Sequence, residues 1–388
     1  MARKNITGLT LRSGAWHIDK QIKGYGRLCE STGTGDREEA ESYLIHRLEA
    51  IRNATVYGIR PERIWREAAT KYLRDNLEQP SIKLTALIFS QLDPFIGNCP
   101  LNKLHDGTLA AFIEARLLQG VSHRTINMAL EKVIRVLNLA SRSWRDEHGM
   151  TWLDSPPMIA KLNEKETARE PYPLNFDEQR YLIMELPEHL KRMALFKVNV
   201  GVREQEVCKL RWEWEVKIPE LNTSVFVVPW NFGGRDGARG VKNGDDRVII
   251  LNEMAKQVIS NQREINEEWV FPYEGRCLAR MNDHAWRKAR NRAAERMAEE
   301  TKRPFCEGLA NVRVHDLKHT FGRRLRAAGV SHEDRQVLLG HTNGNVTTHY
   351  SAAELSQLID AANKVTEDPS RKTPALTLIR STKRKKAT

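Results

Sequence analysis

The sequence predicts an α+β, multidomain chain: an N-terminal three-stranded sheet plus helix, an all-α domain, and a mixed, mainly α C-terminal domain with a small antiparallel sheet. Three observations predict it. A chain of 388 residues exceeds what one hydrophobic core usually organises. Apolar residues alternate at the strand period near the N-terminus and then recur at helical spacing from 61 to 145. Beyond Leu174, helical patterns surround two β-branched runs, 224–229 and 247–251. The expected division is 1–57, 58–150, a linker over 151–172, 173–365, and a basic, disordered tail over 366–388.

In the first module Leu9 and Leu11, then Trp16 and Ile18, alternate with polar neighbours, and Ser13-Gly14 and Lys23-Gly24 mark turns. Strands are expected at about 6–12, 15–21 and 25–32. A helix over 37–53 follows, with Glu38, Glu39 and Glu41 at its N-terminal end and Tyr43, Leu44, Leu48 and Ile51 as its apolar stripe. Arg12, Lys20, Lys23 and Arg27 are expected to line one face of the sheet. That face is either solvated or a surface that enters the major groove of DNA, for which such a sheet has the right width.

The second module opens at Pro61, a residue suited to a first helical turn. Ile64, Trp65, Ala68, Ala69, Tyr72 and Leu73 follow at helical spacing, and Pro80, Pro94 and Pro100 punctuate short helices. Ser122 is expected to cap a long helix carrying Ile126, Leu130, Val133, Ile134, Leu137 and Ala140 on one face. The stretch that follows lacks periodicity and contains Pro156, Pro157 and Pro171, the composition of a linker. Asn175 with Glu178 then reads as a capping box. A helix is expected near 203–210, a hairpin with a long glycine-rich basic loop between the two β-branched runs, and helices at about 283–300, 315–329 and 332–340.

Composition excludes several classes. At 40% hydrophobic the chain has material for packed cores. No run approaches the ~18 apolar residues of a membrane span, so no membrane partner is expected. The N-terminus carries no apolar signal segment, and five scattered cysteines give neither a disulfide framework nor a zinc spacing, which fits a reducing cytoplasm. Net charge is +12, but +7 lies in 369–388 and +4 in 1–35, leaving +1 between. Bulk charge therefore says little about the body of the chain. For the tail it leaves nonspecific DNA affinity and plain solvation both open.

Four places concentrate unusual polar groups. They are Gly201-Val202-Arg203 with Glu206; Lys242 in a turn before a strand; His315-Asp316-Leu317-Lys318-His319; and Leu339-Gly340-His341, followed nine residues later by Tyr350. His315 and His319 stand at a metal-binding spacing. However, no third ligand accompanies them and Lys318 lies between, so neither a metal nor another cofactor is expected.

In order and spacing these boxes resemble the tyrosine recombinases, most closely the phage-type integrases. The resemblance covers roughly 172–365 at motif level and extends more weakly to an arm-type DNA-binding domain at 1–57 and a helical core-type DNA-binding domain at 58–150. It implies that Tyr350 attacks a DNA phosphodiester to form a 3′-phosphotyrosyl link. Tyrosine, with a pKa near ~10, needs help to do so. It further implies that Arg203, His315 and His341 meet the phosphate oxygens or handle the tyrosine proton, that Lys242 protonates the leaving 5′ oxygen, and that Glu206 supports the site. Partners would be double-stranded DNA at attachment sites, three further copies of the chain in a tetramer, and DNA-bending or excision accessory proteins. One position departs: Lys318 stands where the family has a second arginine. It keeps the charge and loses the two-pronged geometry. Either the site is adapted to lysine or the enzyme is weakened. The rivals are a catalytically idle DNA-binding regulator of the same fold, a resolvase or topoisomerase-like strand-passing enzyme, and a metal hydrolase. Arg235 and Arg239, in the glycine-rich loop, are candidate contacts to the DNA backbone.

Overall fold

A computed structural model describes residues 8–233, 245–340 and 351–365. The predicted tail, 366–388, lies outside them. The chain divides into two compact units, 1–169 and 170–388.

The first unit begins with three antiparallel strands, β1 (Leu9–Arg12), β2 (Ala15–Ile22) and β3 (Gly26–Ser31), β2 in the middle. Helix α1 (Arg37–Thr55) covers one face, starting where the Asp36 carboxylate accepts the Glu39 N–H at 2.9 Å. Ile18 and Leu28 from the sheet meet Leu44 and Ile51 from the helix. At ~1.5–3 kcal/mol for each buried side chain, so small a core gives little independent stability. A further tie comes from Arg47 of α1. It donates to Glu30 at 2.8 Å and, two-pronged, to Glu147 at 2.6 and 2.7 Å, binding the sheet module to the helical part across the boundary predicted at 57/58.

That part consists of α2 (Trp65–Asp75), α3 (Ile82–Ile96), α4 (Asp106–Leu118) and α5 (His123–Arg142). Trp65, Tyr72, Phe89, Leu92, Phe112, Leu130 and Val133 fill its core. Three local expectations are corrected. Pro61 precedes the helix rather than opening it, because residues ahead of Trp65 are extended and Ile64 bridges Pro100. Pro94 sits inside α3 rather than ending it. Ser122 occupies the N-cap of α5, yet its hydroxyl pairs with the Thr125 hydroxyl at 3.1 Å instead of a backbone N–H. Much of the stretch read as a linker packs onto the bundle. Leu153 and Ile159 enter its core, and Asn127 holds both backbone groups of Leu162, at 2.8 and 2.9 Å.

In the second unit α6 (Phe176–Glu185) opens with the predicted capping box, Asn175 and Glu178 exchanging hydrogen bonds at 2.7 and 3.0 Å. Helices α7 (Glu188–Val200) and α8 (Glu204–Cys208) follow, then β4 (Glu215–Ile218), β5 (Thr223–Val228) and β6 (Arg247–Ile249), paired antiparallel in that order. Register sets Phe226 opposite Ile249 and Val228 opposite Arg247. After α9 (Glu253–Ser260) come the short strands β7 (Pro272–Tyr273) and β8 (Arg276–Cys277), then α10 (His284–Thr301), α11 (Glu307–Ala310), α12 (Val314–Ala327), α13 (His332–Leu339) and α14 (Ala352–Asn363). The main core gathers Phe196, Val207, Phe226 and Trp286. A second core gathers Phe321, Leu325 and Leu338 with Leu355, Leu358, Ile359 and Ala362. The apolar stripe of α14, Leu355, Leu358, Ile359 and Ala362, is thus buried within its own unit. Among the described residues no helix is long and apolar enough to cross a membrane.

Leu358 is only 4% exposed. Leu358→Ala is expected to destabilise this unit by ~2–5 kcal/mol, read as a lowered denaturant midpoint at unchanged slope.

Candidate active site

Helix α7 ends at Gly201, whose φ of 65° lies in the left-handed region. A Cβ there would fall 2.5 Å from the Phe321 ring, so only glycine fits. The turn it makes buries Val202 and sets Arg203 at the N-cap of α8. Glu206, one turn on, is 1% exposed and reaches back to that cap. Its Oε2 accepts the Arg203 backbone N–H at 2.6 Å and its Oε1 accepts Arg203 Nη1 at 2.9 Å. Arg247, at the start of β6, donates from Nη1 to the same Oε2 at 2.6 Å. One carboxylate thus anchors two guanidinium groups.

The same cations grip the end of α13. Arg247 Nη2 donates to the Leu338 carbonyl at 3.4 Å and to the Gly201 carbonyl at 3.2 Å. Lys318, from α12, donates to the Leu339 carbonyl at 2.6 Å, and Arg203 Nη2 to the Gly340 carbonyl at 3.2 Å. Three successive carbonyls at a helix C-terminus, its electronegative end, each receive one N–H donor from a basic side chain. Beneath them Lys197 of α7, fully buried, donates to the Val202 carbonyl.

Burial and crowding shift these groups. Desolvation alone would raise Glu206, but Arg247 and Arg203 overcome it and hold the carboxyl at about 2. Lys318 is pushed down to about 6, first by desolvation and then by Arg247 and Arg203, with Glu206 opposing. Desolvation lowers Lys197 to about 8. Burial also lowers Arg247, yet as a guanidinium it stays charged. His315 lies one turn before Lys318 on α12. Although exposed as a residue, it is pushed down to about 4 by partial desolvation, Lys197, His319 and Lys318, and is neutral at pH 7. With His319, Arg323 and Arg335 these two residues line an open, basic cleft. The His315 and His319 rings meet edge to face, centroids 4.8 Å apart.

The structure therefore brings together Arg203, Glu206 and Lys318, with His315 beside them on α12. Lys242, His341 and Tyr350, together with Arg235 and Arg239, lie outside the described residues. The four N-terminal cations do not share a face. Arg12 and Arg27 are on the open side of the sheet, where Arg27 grips Asp19 at 2.7 and 2.8 Å and Arg12 stands 3.8 Å from it. Lys20 pairs opposite Leu28 in register and so points to the helix-covered side, while Lys23 falls in the β2–β3 turn. The period of two separates Lys20 from its neighbours.

Sequence reasoning missed Arg247 and Lys197. Lys197 sits inside an apolar run, Leu-Phe-Lys-Val, and Arg247 at the head of one, Arg-Val-Ile-Ile-Leu. Strand parity offers the one usable signal: Arg247 shares its side of β6 with buried Ile249.

Comparisons with known proteins bear on the second unit most directly. Residues 174–357 match the Phage integrase family. The chain is 24% identical to the integrase of Salmonella phage P22 over 243 residues, 59% of this chain and 54% of that protein. It is 27% identical to tyrosine recombinase XerA of Pyrococcus horikoshii over 243 residues, 60% of this chain and 74% of the other. It spans about half the length of the phage relative. In fold it resembles the Tn1549 transposon integrase in complex with a circular intermediate DNA, with a TM-score of 0.54, 14% identity, and coverage of 77% of this chain and 94% of that one. The same integrase in complex with transposon right end DNA gives 0.51 at 14% identity, covering 83% and 99%.

Two outcomes follow from the ion cluster. Glu206→Gln strips buried Arg247 and half-buried Arg203 of their shared anion and is expected to cost ~3–5 kcal/mol in a denaturation measurement. Because Lys318 binds its proton less tightly folded than unfolded, its contribution to stability should rise with pH from about 6 to about 10, by at most ~1.4 kcal/mol per unit. Lys318→Met should flatten that rise in pH-dependent melting curves.

Proposed function

We propose that this chain, which belongs to the phage integrase family through residues 174–357, is a site-specific tyrosine recombinase. It breaks and rejoins DNA through a 3′-phosphotyrosyl intermediate, and so integrates or excises a phage or other mobile element at attachment sites. The observation that carries this reading is the convergence of three distant sequence boxes on one point. The Arg203 guanidinium and the Lys318 amine both bond the carbonyls of Leu339-Gly340, the residues that lead directly into His341.

The chemistry follows from those groups. The Tyr350 hydroxyl oxygen attacks phosphorus and passes its proton to a neutral histidine, His315 or His341. The bond from phosphorus to the 5′ oxygen breaks, and Lys242 supplies that oxygen with a proton. Negative charge accumulates on the non-bridging oxygens, where Arg203, Lys318, His315 and His341 donate hydrogen bonds. Glu206 touches no substrate; it fixes the angle of the Arg203 fork. The phosphotyrosyl bond retains the energy of the bond it replaces, so rejoining needs neither nucleotide nor metal. Double-stranded DNA is the substrate. Four copies of the chain would act on two duplexes, the N-terminal sheet and the helical bundle holding DNA on either side of the cut, with accessory DNA-bending or excision proteins and a cytoplasmic setting. A catalytically idle regulator is the second reading. What favours it is that Lys318 cannot offer a two-pronged donor.

Incubation with a nicked suicide duplex carrying the attachment core should trap a covalent protein–DNA adduct, which Tyr350→Phe abolishes. Absence of adduct from the unaltered chain would favour the idle regulator. Lys318→Arg is expected to leave recombination working. An inert parent rescued by that change would show a weakened enzyme rather than an adapted one. Chelators should leave the reaction unchanged, whereas a metal hydrolase would stop.

A further inference from the structure

Lys318 is held where a lysine and an arginine must behave differently. It is 4% exposed, and its amine donates to the Leu339 carbonyl. Facing it are Arg203 at the start of α8, Arg247 on β6 and Lys197 on α7, with His315 and His319 on its own helix and Arg335 of α13 across the cleft. Among the described residues, the carboxylates of Glu206 and of Asp316 on its own helix are engaged elsewhere. Glu206 has Oε1 taken by Arg203 and Oε2 shared by Arg203 and Arg247. Asp316 accepts the backbone N–H of Arg313 at 2.8 Å and of Tyr172 at 3.2 Å. Glu170 lines the same cleft. Among the described residues the basic groups packed around Lys318 therefore outnumber the one carboxylate, Glu206, that they share. Guanidinium groups cannot shed a proton to relieve this, so the crowd relaxes through an amine.

We infer that Lys318 is the site's proton-linked anion receptor: a phosphate group seated against Arg203 and Lys318, whose side chains meet at the consecutive carbonyls of Leu339 and Gly340, is bound together with one proton, taken from solvent onto the Lys318 amine. The balance is simple. A neutral amine plus a solvent proton gives an ammonium, which donates to the phosphate oxygen. The burial and cation crowding that depress Lys318 in the free protein are offset once a negative oxygen arrives. An arginine at 318 would be charged before and after binding and would take up nothing. The inference uses the anion-binding part of the recombinase reading and does not depend on strand cleavage.

The test compares the full chain with Lys318→Arg, because Lys197 and the histidines are common to both and cancel. Affinity for duplex DNA is measured from pH 7.5 to 9 at fixed ionic strength, alongside binding calorimetry in two buffers of different protonation enthalpy. The parent should lose affinity by up to tenfold per pH unit more than Lys318→Arg and take up close to one additional proton per site. Equal pH slopes and equal proton uptake would overturn the inference. A second measurement covers failure of DNA binding itself. In lysine-labelled protein the Lys318 amine resonance, identified by its loss in Lys318→Arg, should titrate well below the ordinary lysine range and move upward when inorganic phosphate saturates the site. An ordinary midpoint, or one that phosphate does not move, would also overturn it. If duplex DNA does not bind while phosphate shifts the resonance, the recombinase reading falls and the proton-linked receptor stands.

Discussion

The second unit turns on a single knot: one buried carboxylate, Glu206, and the last carbonyls of α13, held by Arg203, Arg247 and Lys318. Those residues come from α8, β6 and α12, elements that otherwise have little reason to meet at one point. Apolar packing brings the elements to within a few ångströms, as Val207, Phe226 and Leu317 fill one core. It does not specify the rotation of α13 about its axis, whereas three directional hydrogen bonds to consecutive carbonyls do. The knot thereby fixes where the chain is delivered at Gly340, the residue from which the Leu-Gly-His box continues.

Such a knot is a poor way to gain stability. Charges withdrawn from water lose several kcal/mol each, and well-packed apolar residues would often serve as well. Here the cost is visible in Arg247, whose Nε is buried with no hydrogen-bond partner. An arrangement that spends stability on uncompensated positive charge makes physical sense if an anion completes it. In that respect the cluster resembles other preorganised oxyanion sites, whose donors stand ready before charge arrives and need no reorganisation when it does.

Much of this was legible in the sequence. The spacing of Arg203 to Glu206 and of His315 to Lys318 reads as one helical turn each, and the capping box at Asn175 is a local pattern that local chemistry satisfies. What failed did so where long-range packing decides. Lys197 and Arg247 look like surface cations because free charges usually stay in water; only their partners, distant in sequence, make burial tolerable. Lys20 was grouped with Arg12 and Arg27 by composition, while the pleat divides them by parity. The proline-bearing stretch after α5 reads as a linker because its few apolar residues have no period, yet Leu153 and Ile159 need only fill gaps in an existing core.

Gly340 carries one more consequence. Its φ is 59°, and a Cβ at that position would sit 2.8 Å from the Arg247 guanidinium. Two unrelated demands, a left-handed torsion and the room for a buried arginine, therefore fall on the same atom. A residue such as asparagine relieves the first and violates the second. A side chain at 340 would push the Arg247 guanidinium off Glu206 and the Leu338 carbonyl unless residue 247 shrinks in the same step. The two positions, ninety-three residues apart, are bound into a common evolutionary fate by the space of one methyl group.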